Sequence, residues 1–165
     1  MFKFVHHVRI LVHDADAMVQ YMAQTFAMTP VKVQVYESRG MKNAMYQVGE
    51  TTLEFTEPLD AHSAMGQYLA REGPGVYHIA FGVDGIAAVA KGLAAQGHTL
   101  REPGGTGRSA EGYLTATLDP ASALGFPFQV AEGSSRGRGG AGSGGRGTRR
   151  WDGGQLAMTP EARED

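Results

Sequence analysis

The sequence predicts an α+β domain made of two βαβββ modules, which join into a cup-shaped, partly closed mixed sheet with the helices outside. Strand-like and helix-like apolar periods alternate through residues 1–132 in an order that occurs twice. In addition, HVRILV near the start matches HIAFGV further along, because each is a histidine followed five places later by a valine. Since neither copy could bury a core alone, we expect the two sheets to pair around a cleft.

The first module, at about residues 1–58, begins with a strand and an amphipathic helix. Asp14 is placed to cap this helix, in which Val19, Met22 and Phe26 recur at helical spacing. Pro30 lies just beyond the helix end. The predicted strands of this module are residues 7–12, 31–36, 43–48 and 51–56, with a turn at Gly49 and Glu50.

A short helix over residues 63–72 connects the modules, and Gly73 with Pro74 ends it. The second module, at about residues 76–132, repeats the first. We expect Asp84 to cap its helix and Gly97 to close it. Its predicted strands are residues 78–83, 98–101, 113–118 and 126–131.

The composition limits the class of protein and the chemistry of any site. The chain has 165 residues, of which 42% are hydrophobic and 19% charged, as expected for one globular domain. Its net charge is −2. Cysteine is absent, which excludes disulfides, thiolate metal sites and a cysteine nucleophile. Any metal ion would therefore bind nitrogen and oxygen atoms.

Residues 133–165 differ in composition from the domain. Ten glycines lie between Gly133 and Gly154, and the segment carries six arginines against four acidic residues. We expect a flexible tail. Its one aromatic residue, Trp151, provides no repeated surface for stacking bases, so we expect no nucleic-acid partner.

No segment predicts a membrane span or a secretory signal. Lys3 and Arg9 interrupt the apolar start of the chain, and no later apolar run is long enough to cross a bilayer. We therefore expect a cytoplasmic protein without a membrane partner.

Alternation along the strands assigns five polar side chains to the cleft, namely Arg9 and four candidate metal donors. Residues two apart on a strand share a face. The apolar residues of the first strand face the helices, so His7 and Arg9 between them face the cleft. The four candidate donors come in pairs from equivalent strands of the two modules. These pairs are His7 with His78 and Glu54 with Gln129.

This donor set suits a divalent cation. Two imidazoles, a carboxylate and an amide oxygen can bind zinc, cobalt, nickel or manganese and leave positions for water or substrate, and iron(II) would accept the two histidines with one carboxylate. Each histidine could instead be a hydrogen-bonded residue on a half-buried strand, but the repeat-equivalent positions favour a metal site. The remaining histidines lack this symmetry, and we expect them on the surface or in loops: His6, His13, His62 and His98.

Four segments carry a family resemblance: HVRILV, GETTLEFTEPL, SAMGQYLAREGPGVYHIAFGVDGI and LDPASALGFPFQV. Together they resemble the vicinal oxygen chelate superfamily of glyoxalases, bleomycin resistance proteins and dioxygenases, and within it the methylmalonyl-CoA epimerases. The resemblance spans nearly all of residues 1–132. It implies the paired βαβββ cup, a homodimer, an acyl-CoA substrate, and a divalent metal ion held by His7, Glu54, His78 and Gln129.

The resemblance also implies a reaction in which a proton is removed beside a thioester carbonyl and returned from the other face. Epimerases of the superfamily have a glutamate where this chain has Gln129. Because an amide cannot accept that proton, we expect Glu54 to take over proton transfer, with Glu37 as the candidate for a second proton carrier. Arg9 is expected to bind a substrate carboxylate or, alternatively, to pair with Glu54.

Other functions are compatible with the same residues. A glyoxalase I-like lyase or an iron-dependent dioxygenase would use His7, His78 and Glu54. A non-catalytic ligand-binding or drug-sequestering protein, similar to bleomycin resistance proteins, would use the cup without chemistry. The presence of both histidines argues against this last interpretation.

Overall fold

A computed structural model describes residues 1–135 of the chain. Within these residues the helices are α1 (Ala15–Phe26), α2 (Ala64–Glu72) and α3 (Ile86–Ala95), with short 3-10 turns at Glu37–Arg39, Pro103–Gly105 and Pro120–Ser122. The strands are β1 (Phe4–Leu11), β2 (Lys32–Tyr36), β3 (Met41–Val48), β4 (Thr51–Pro58), β5 (Gly75–Gly82), β6 (Gly107–Arg108), β7 (Leu114–Thr117) and β8 (Phe128–Glu132).

The strands of the described chain form one eight-stranded mixed sheet in the order β2-β3-β4-β1-β5-β8-β7-β6. β1 runs parallel to β4 and β5 runs parallel to β8, while β1 and β5 pair antiparallel at the centre. Each strand of one module therefore has its counterpart at the equivalent position on the other side of the β1–β5 pair. This confirms the predicted fold of two joined modules in a curled sheet with outer helices.

Two hydrophobic cores lie on the helix-covered face of the sheet. The core beneath α1 contains Val12, Ala15, Met22, Ala44, Tyr46 and Phe55. The core beneath α3 contains Val83, Ile86, Ala90, Ala116 and Val130. Full burial of a valine, isoleucine or phenylalanine side chain stabilises the fold by about 1.5–3 kcal/mol. Because the cores occupy the outer face, the inner face is left for polar side chains.

Side-chain caps begin the first two helices. The Oδ1 atom of Asp14 accepts a hydrogen bond from the Ala17 backbone N–H at 2.9 Å, as predicted. The Ser63 hydroxyl accepts one from the Gly66 N–H at 3.0 Å. These local caps are visible in the sequence because donor and acceptor lie within one turn.

The prediction that Asp84 caps α3 is wrong. The N-cap residue is Gly85, in the left-handed region with φ of +64°. The carboxylate of Glu132, at the end of β8, accepts hydrogen bonds from the N–H groups of Gly85 and Ile86 at 2.5 and 3.4 Å. Asp84 instead forms an ion pair with Lys3. A residue distant in sequence therefore supplies the negative charge at this helix N-terminus.

The predicted strand at residues 98–101 is also wrong. Only Leu100 forms a β-bridge there, with Leu118. The chain then turns through Pro103–Gly105, where the proline has no N–H group to continue a ladder. The two-residue strand β6 resumes pairing with β7 and occupies the edge of the sheet.

The first residues of the predicted tail pack against the domain. The Ser135 hydroxyl donates to the Glu50 carbonyl oxygen at 2.8 Å, and the Thr52 hydroxyl donates to the Ser135 carbonyl oxygen at 3.1 Å. The rest of the predicted tail, including Trp151, lies outside the described residues. None of the helices found in residues 1–135 is both long and apolar enough to cross a membrane.

Replacing Glu132 with alanine should lower the free energy of unfolding by about 1–2 kcal/mol, because α3 loses the acceptor at its N-terminus. Urea denaturation followed by circular dichroism measures the change. Asp84→Ala is the matched control. Its side chain is 75% exposed, so its loss should cost no more than about 0.5 kcal/mol. A larger effect at Asp84 than at Glu132 would contradict this assignment.

Candidate functional site

The predicted polar side chains project from the central strands into the inner face of the sheet. β1 contributes His7 and Arg9, β4 contributes Glu54, β5 contributes His78, and β8 contributes Gln129. In the register Arg9 lies between Glu54 and His78, its partners on the two neighbouring strands. All are buried apart from Arg9, whose side chain is 16% exposed.

The two imidazoles are in direct contact. The Nε2 atoms of His7 and His78 lie 3.0 Å apart, and their rings meet edge to face with centroids 5.1 Å apart. The sequence predicted this pairing from the equivalence of the two strands. The contact brings one ring nitrogen from each module to a single point in the cleft.

Glu54 is held by two neighbours. Its Oε2 atom accepts hydrogen bonds from Nε and Nη2 of Arg9 at 3.1 and 2.7 Å. Its Oε1 atom accepts one from the Tyr113 hydroxyl at 3.1 Å. Burial and the neighbouring Glu54 raise the pKa of Tyr113, so the phenol keeps its proton. The contact between Arg9 and Glu54 is the local ion pair that the sequence offered as the alternative to substrate binding by Arg9.

Burial dominates the protonation of the two imidazoles. It lowers the pKa of His7 to about 4, although Glu54 opposes the shift. Burial, followed by the charges of Arg9 and His7, holds the pKa of His78 well below its usual range. Burial acts to raise the pKa of Glu54, but the charges of Arg9 and His7 outweigh it and lower that pKa to about 2. At neutral pH the cleft holds two neutral imidazoles and one carboxylate, which is the state that binds metal ions.

Gln129 has one occupied and one free amide atom. Its Nε2 atom donates to the Thr117 hydroxyl at 2.9 Å. Its Oε1 atom is buried close to the His7 imidazole but accepts no well-formed hydrogen bond from the described part of the chain. A buried oxygen without a donor is costly, so this atom is available to an incoming donor or cation.

The donors are only partly arranged for a metal ion. As they stand, no three histidine, aspartate or glutamate side chains among residues 1–135 cluster closely enough to hold one, and Glu54 is engaged by Arg9 and Tyr113. Two observations nevertheless fit a cation. The first is that the Nε2 atoms of His7 and His78 meet at one point, 3.0 Å apart, where both imidazoles could turn a nitrogen to the same ion. The second is the unpartnered amide oxygen of Gln129.

A cavity of about 200 Å³ lies beside these side chains. Arg9, Arg39 and Arg108 line it together with His78 and Gln129. Arg39 donates to the backbone oxygen of Arg108 at 2.8 Å, which connects the turn after β2 with β6 across the cavity mouth. Glu102 lines the cavity too and Arg9 is already paired with Glu54, so Arg39 and Arg108 leave a small excess of positive charge there.

Glu37 is separate from this cluster. It is exposed on the 3-10 turn between β2 and β3, at one edge of the sheet. The strand next to β4 presents Met45 beside Glu54, and Asn43 beside Thr56. A role for Glu37 as a second proton carrier stays a prediction.

Two residues of the site, His6 and Tyr113, were not predicted from the sequence. The expectation that His6 lies on the surface or in a loop is wrong, because its exposed fraction is 0%. A register shift between Val5 and His7 makes His6 the extra residue of a β-bulge, so His6 and His7 both turn inward. Strict alternation had assigned them to opposite faces. His13 and His62 are exposed as expected.

A family model described as the Glyoxalase/Bleomycin resistance protein/Dioxygenase superfamily matches residues 6–116. A search of curated proteins finds no match.

Solved structures of methylmalonyl-CoA epimerases are similar to this chain. A variant of the Streptomyces coelicolor epimerase in complex with 2-nitronate-propionyl-CoA has a TM-score of 0.73 and 27% identity, over 80% of this chain and 98% of that one. An epimerase in complex with methylmalonyl-CoA and NH4+ has a TM-score of 0.72 and 27% identity, over 80% and 95%. The epimerase from Mycobacterium tuberculosis has a TM-score of 0.72 and 23% identity, over 81% and 89%, which shows the fold alone.

The stability of the protein in the presence of a chelator should fall as the pH drops from 6.5 towards 4. In this window the unfolded chain binds a proton at His7, whereas folding lowers the pKa of that imidazole to about 4. The contribution of His7 to the free energy of unfolding is therefore complete above the unfolded pKa of 6.5. It is lost as the pH falls towards 4, by up to about 3 kcal/mol.

Urea unfolding at pH 7.5, 6 and 5 measures this loss. In His7→Gln the dependence on pH should be shallower but not absent, because one contributor is gone while burial still lowers the pKa of His78 and of His6. An identical slope in both proteins would show that His7 is not the source.

Proposed function

The chain belongs to the glyoxalase/bleomycin resistance protein/dioxygenase superfamily, and from this premise we propose that it is a metal-dependent isomerase. In this proposal it removes a proton beside a carbonyl group of an acyl-CoA substrate and returns one, as an epimerase does. The likeness to epimerase structures with bound CoA derivatives supports the substrate class.

One observation carries the proposal. The Nε2 atoms of His7 and His78 meet at 3.0 Å in a buried cleft, beside the buried carboxylate of Glu54. Two buried neutral imidazoles facing each other need a shared proton or a shared cation. The second possibility explains why an amide oxygen without a donor lies in the same cleft.

His7, His78, Glu54 and Gln129 are the residues that would hold the ion. When bound there, a divalent cation supplies Lewis-acid stabilisation of the negative charge that develops on a substrate carbonyl oxygen. The imidazoles are neutral and Glu54 is the one anionic member of the proposed set. The ligands would therefore leave part of the ion's positive charge uncompensated and available to the substrate oxygen.

Glu54 is proposed to carry the proton, and Arg9 is proposed to bind an anionic group of the substrate. Because Arg9 donates to Glu54 through two nitrogens, a substrate carboxylate that attracts the guanidinium also weakens its hold on Glu54. The carboxylate then regains basicity when the substrate is bound. Arg39 and Arg108 add positive charge at the cavity mouth.

Return of a proton from the other face requires a second carrier. Glu37 was the sequence-based candidate, and it lies on the same turn as Arg39 of the cavity mouth. Tyr113 is the alternative, because its phenol lines the cavity and already donates to Glu54 at 3.1 Å.

An iron-dependent dioxygenase is the second candidate function. The observation that favours it is the amide at Gln129, which leaves two histidines and a single carboxylate, the donor set of non-haem iron(II) oxygenases. Iron in the purified protein together with oxygen uptake would support this function over the isomerase.

Exchange of solvent deuterium into methylmalonyl-CoA tests the proposed reaction. Protein purified without a chelator and supplied with Co²⁺ should incorporate deuterium beside the thioester carbonyl, detected by mass spectrometry. Bound metal without exchange would leave the superfamily assignment intact and reject the isomerase.

Metal binding should depend on the paired histidines. We expect the wild type to bind one ion per chain. In His78→Asn the dissociation constant should be at least about tenfold larger, because half of the nitrogen donors are lost. His62→Asn is the control, since it removes an exposed imidazole that is not one of the proposed ligands. Calorimetric titration with Co²⁺ measures both. Equal affinities in the two variants would argue against this metal site.

Turnover should be more sensitive to Glu54 than to Gln129. Glu54→Gln removes the proton carrier and should reduce exchange by at least about 100-fold, whereas Gln129→Ala removes one neutral donor and should leave measurable activity. The exchange assay is run at saturating Co²⁺ so that weaker binding is compensated. Comparable activity in Glu54→Gln and the wild type would exclude Glu54 as the proton carrier.

A further inference from the structure

His6 sits behind the proposed metal site. The bulge in β1 turns it inward beside His7, where its ring packs edge to face on Tyr113 with centroids 4.6 Å apart. Both ring nitrogens are occupied. Nε2 lies 3.2 Å from the carbonyl oxygen of Gly133, and Nδ1 lies 2.9 Å from Nδ1 of His7.

These contacts determine where the protons lie. A carbonyl oxygen only accepts, so Nε2 of His6 carries a proton. His6 is fully buried and contacts neutral groups through both nitrogens, and burial disfavours the charged form. Its Nδ1 atom is therefore an acceptor, and the proton between the two rings belongs to Nδ1 of His7. The Nε2 atom of His7 is left with a free lone pair directed at His78.

We propose that His6 is a positioning residue that fixes His7 as its Nδ1–H tautomer, so that His7 is prepared to bind metal before any ion arrives. His78 differs. In the metal-free protein its Nε2 atom carries the proton donated to His7 across 3.0 Å. When a cation replaces this hydrogen bond, His78 alone has to change tautomer. The second half of this proposal rests on the proposed function, and the first half does not.

Gly133 supplies the backbone oxygen at which the chain of hydrogen bonds through His6 to His7, here called the relay, begins. Its φ is +118°, and a Cβ atom there would come within 3.3 Å of the Tyr113 Cβ atom. Glycine thus lets the chain pass close to Tyr113 and present its carbonyl oxygen to His6. The relay runs from this backbone oxygen through His6 to His7 and connects the end of β8 to the centre of the sheet.

Long-range ¹H–¹⁵N correlation spectra of the histidine rings test the first half in the full, metal-free chain. We expect His6 as the Nε2–H tautomer, His7 as Nδ1–H and His78 as Nε2–H. After titration with Co²⁺, or with Zn²⁺ as the diamagnetic probe, His78 should change to Nδ1–H and His7 should stay as it was. A proton on Nε2 of His7 in the metal-free protein would overturn the proposal.

Two variants test the positioning role. His6→Asn keeps an acceptor at the place of Nδ1, whereas His6→Phe keeps the ring that packs on Tyr113 and has no acceptor. We expect His6→Phe to bind Zn²⁺ about 10–100-fold more weakly and to show mixed His7 tautomers, and His6→Asn to bind within about threefold of wild type. Equal affinity in both variants would reject the role of His6.

The outcomes separate this inference from the proposed function. If the expected tautomers are present but no divalent ion binds, the metal site fails and the relay stands. If the ion binds but His7 carries its proton on Nε2 beforehand, the relay fails and the metal site stands. The wild-type spectra decide the tautomers even if a His6 variant does not fold.

Discussion

The antiparallel pairing of β1 with β5 is the constraint on which the site depends. It holds the Nε2 atoms of His7 and His78 3.0 Å apart, although the residues are 71 places apart in the chain. The parallel neighbours β4 and β8 then bring Glu54 and Gln129 to the same face. Because all four side chains stand on strands of one sheet, their positions follow from backbone register and not from the conformation of loops, which makes the arrangement rigid.

Rules that hold for every regular strand were enough to predict most of this arrangement. Alternation assigned the four donors to one face, and the repeated histidine strand predicted the pairing of the modules. The errors occur where regularity stops. His6 turned inward because a bulge breaks the alternation, and Glu132 replaced Asp84 as a cap from 47 residues away. Both depend on tertiary contacts, which no local pattern in the sequence contains.

Glu54 illustrates how this cleft accommodates a buried charge. Burial alone would raise its pKa, but Arg9 and Tyr113 together donate three hydrogen bonds to its two oxygens. The same contacts restrain the carboxylate from reacting. In the proposed reaction, a substrate that competes for Arg9 would release Glu54 in the act of binding, so that one guanidinium would connect recognition to proton transfer. This connection follows from the register, in which Arg9 and Glu54 are direct neighbours on β1 and β4.

The two modules are equivalent in backbone but differ in charge, and the difference is physically consistent. Where module one pairs Arg9 with Glu54, the equivalent pair in module two is Ala80 with Gln129. A buried carboxylate without a cation bears a large desolvation penalty, and Ala80 cannot offset it. The amide at Gln129 removes the charge and keeps an oxygen in the cleft. In the metal-free protein Arg9 therefore stabilises the acid in module one, and Ala80 offers no such partner to position 129 in module two.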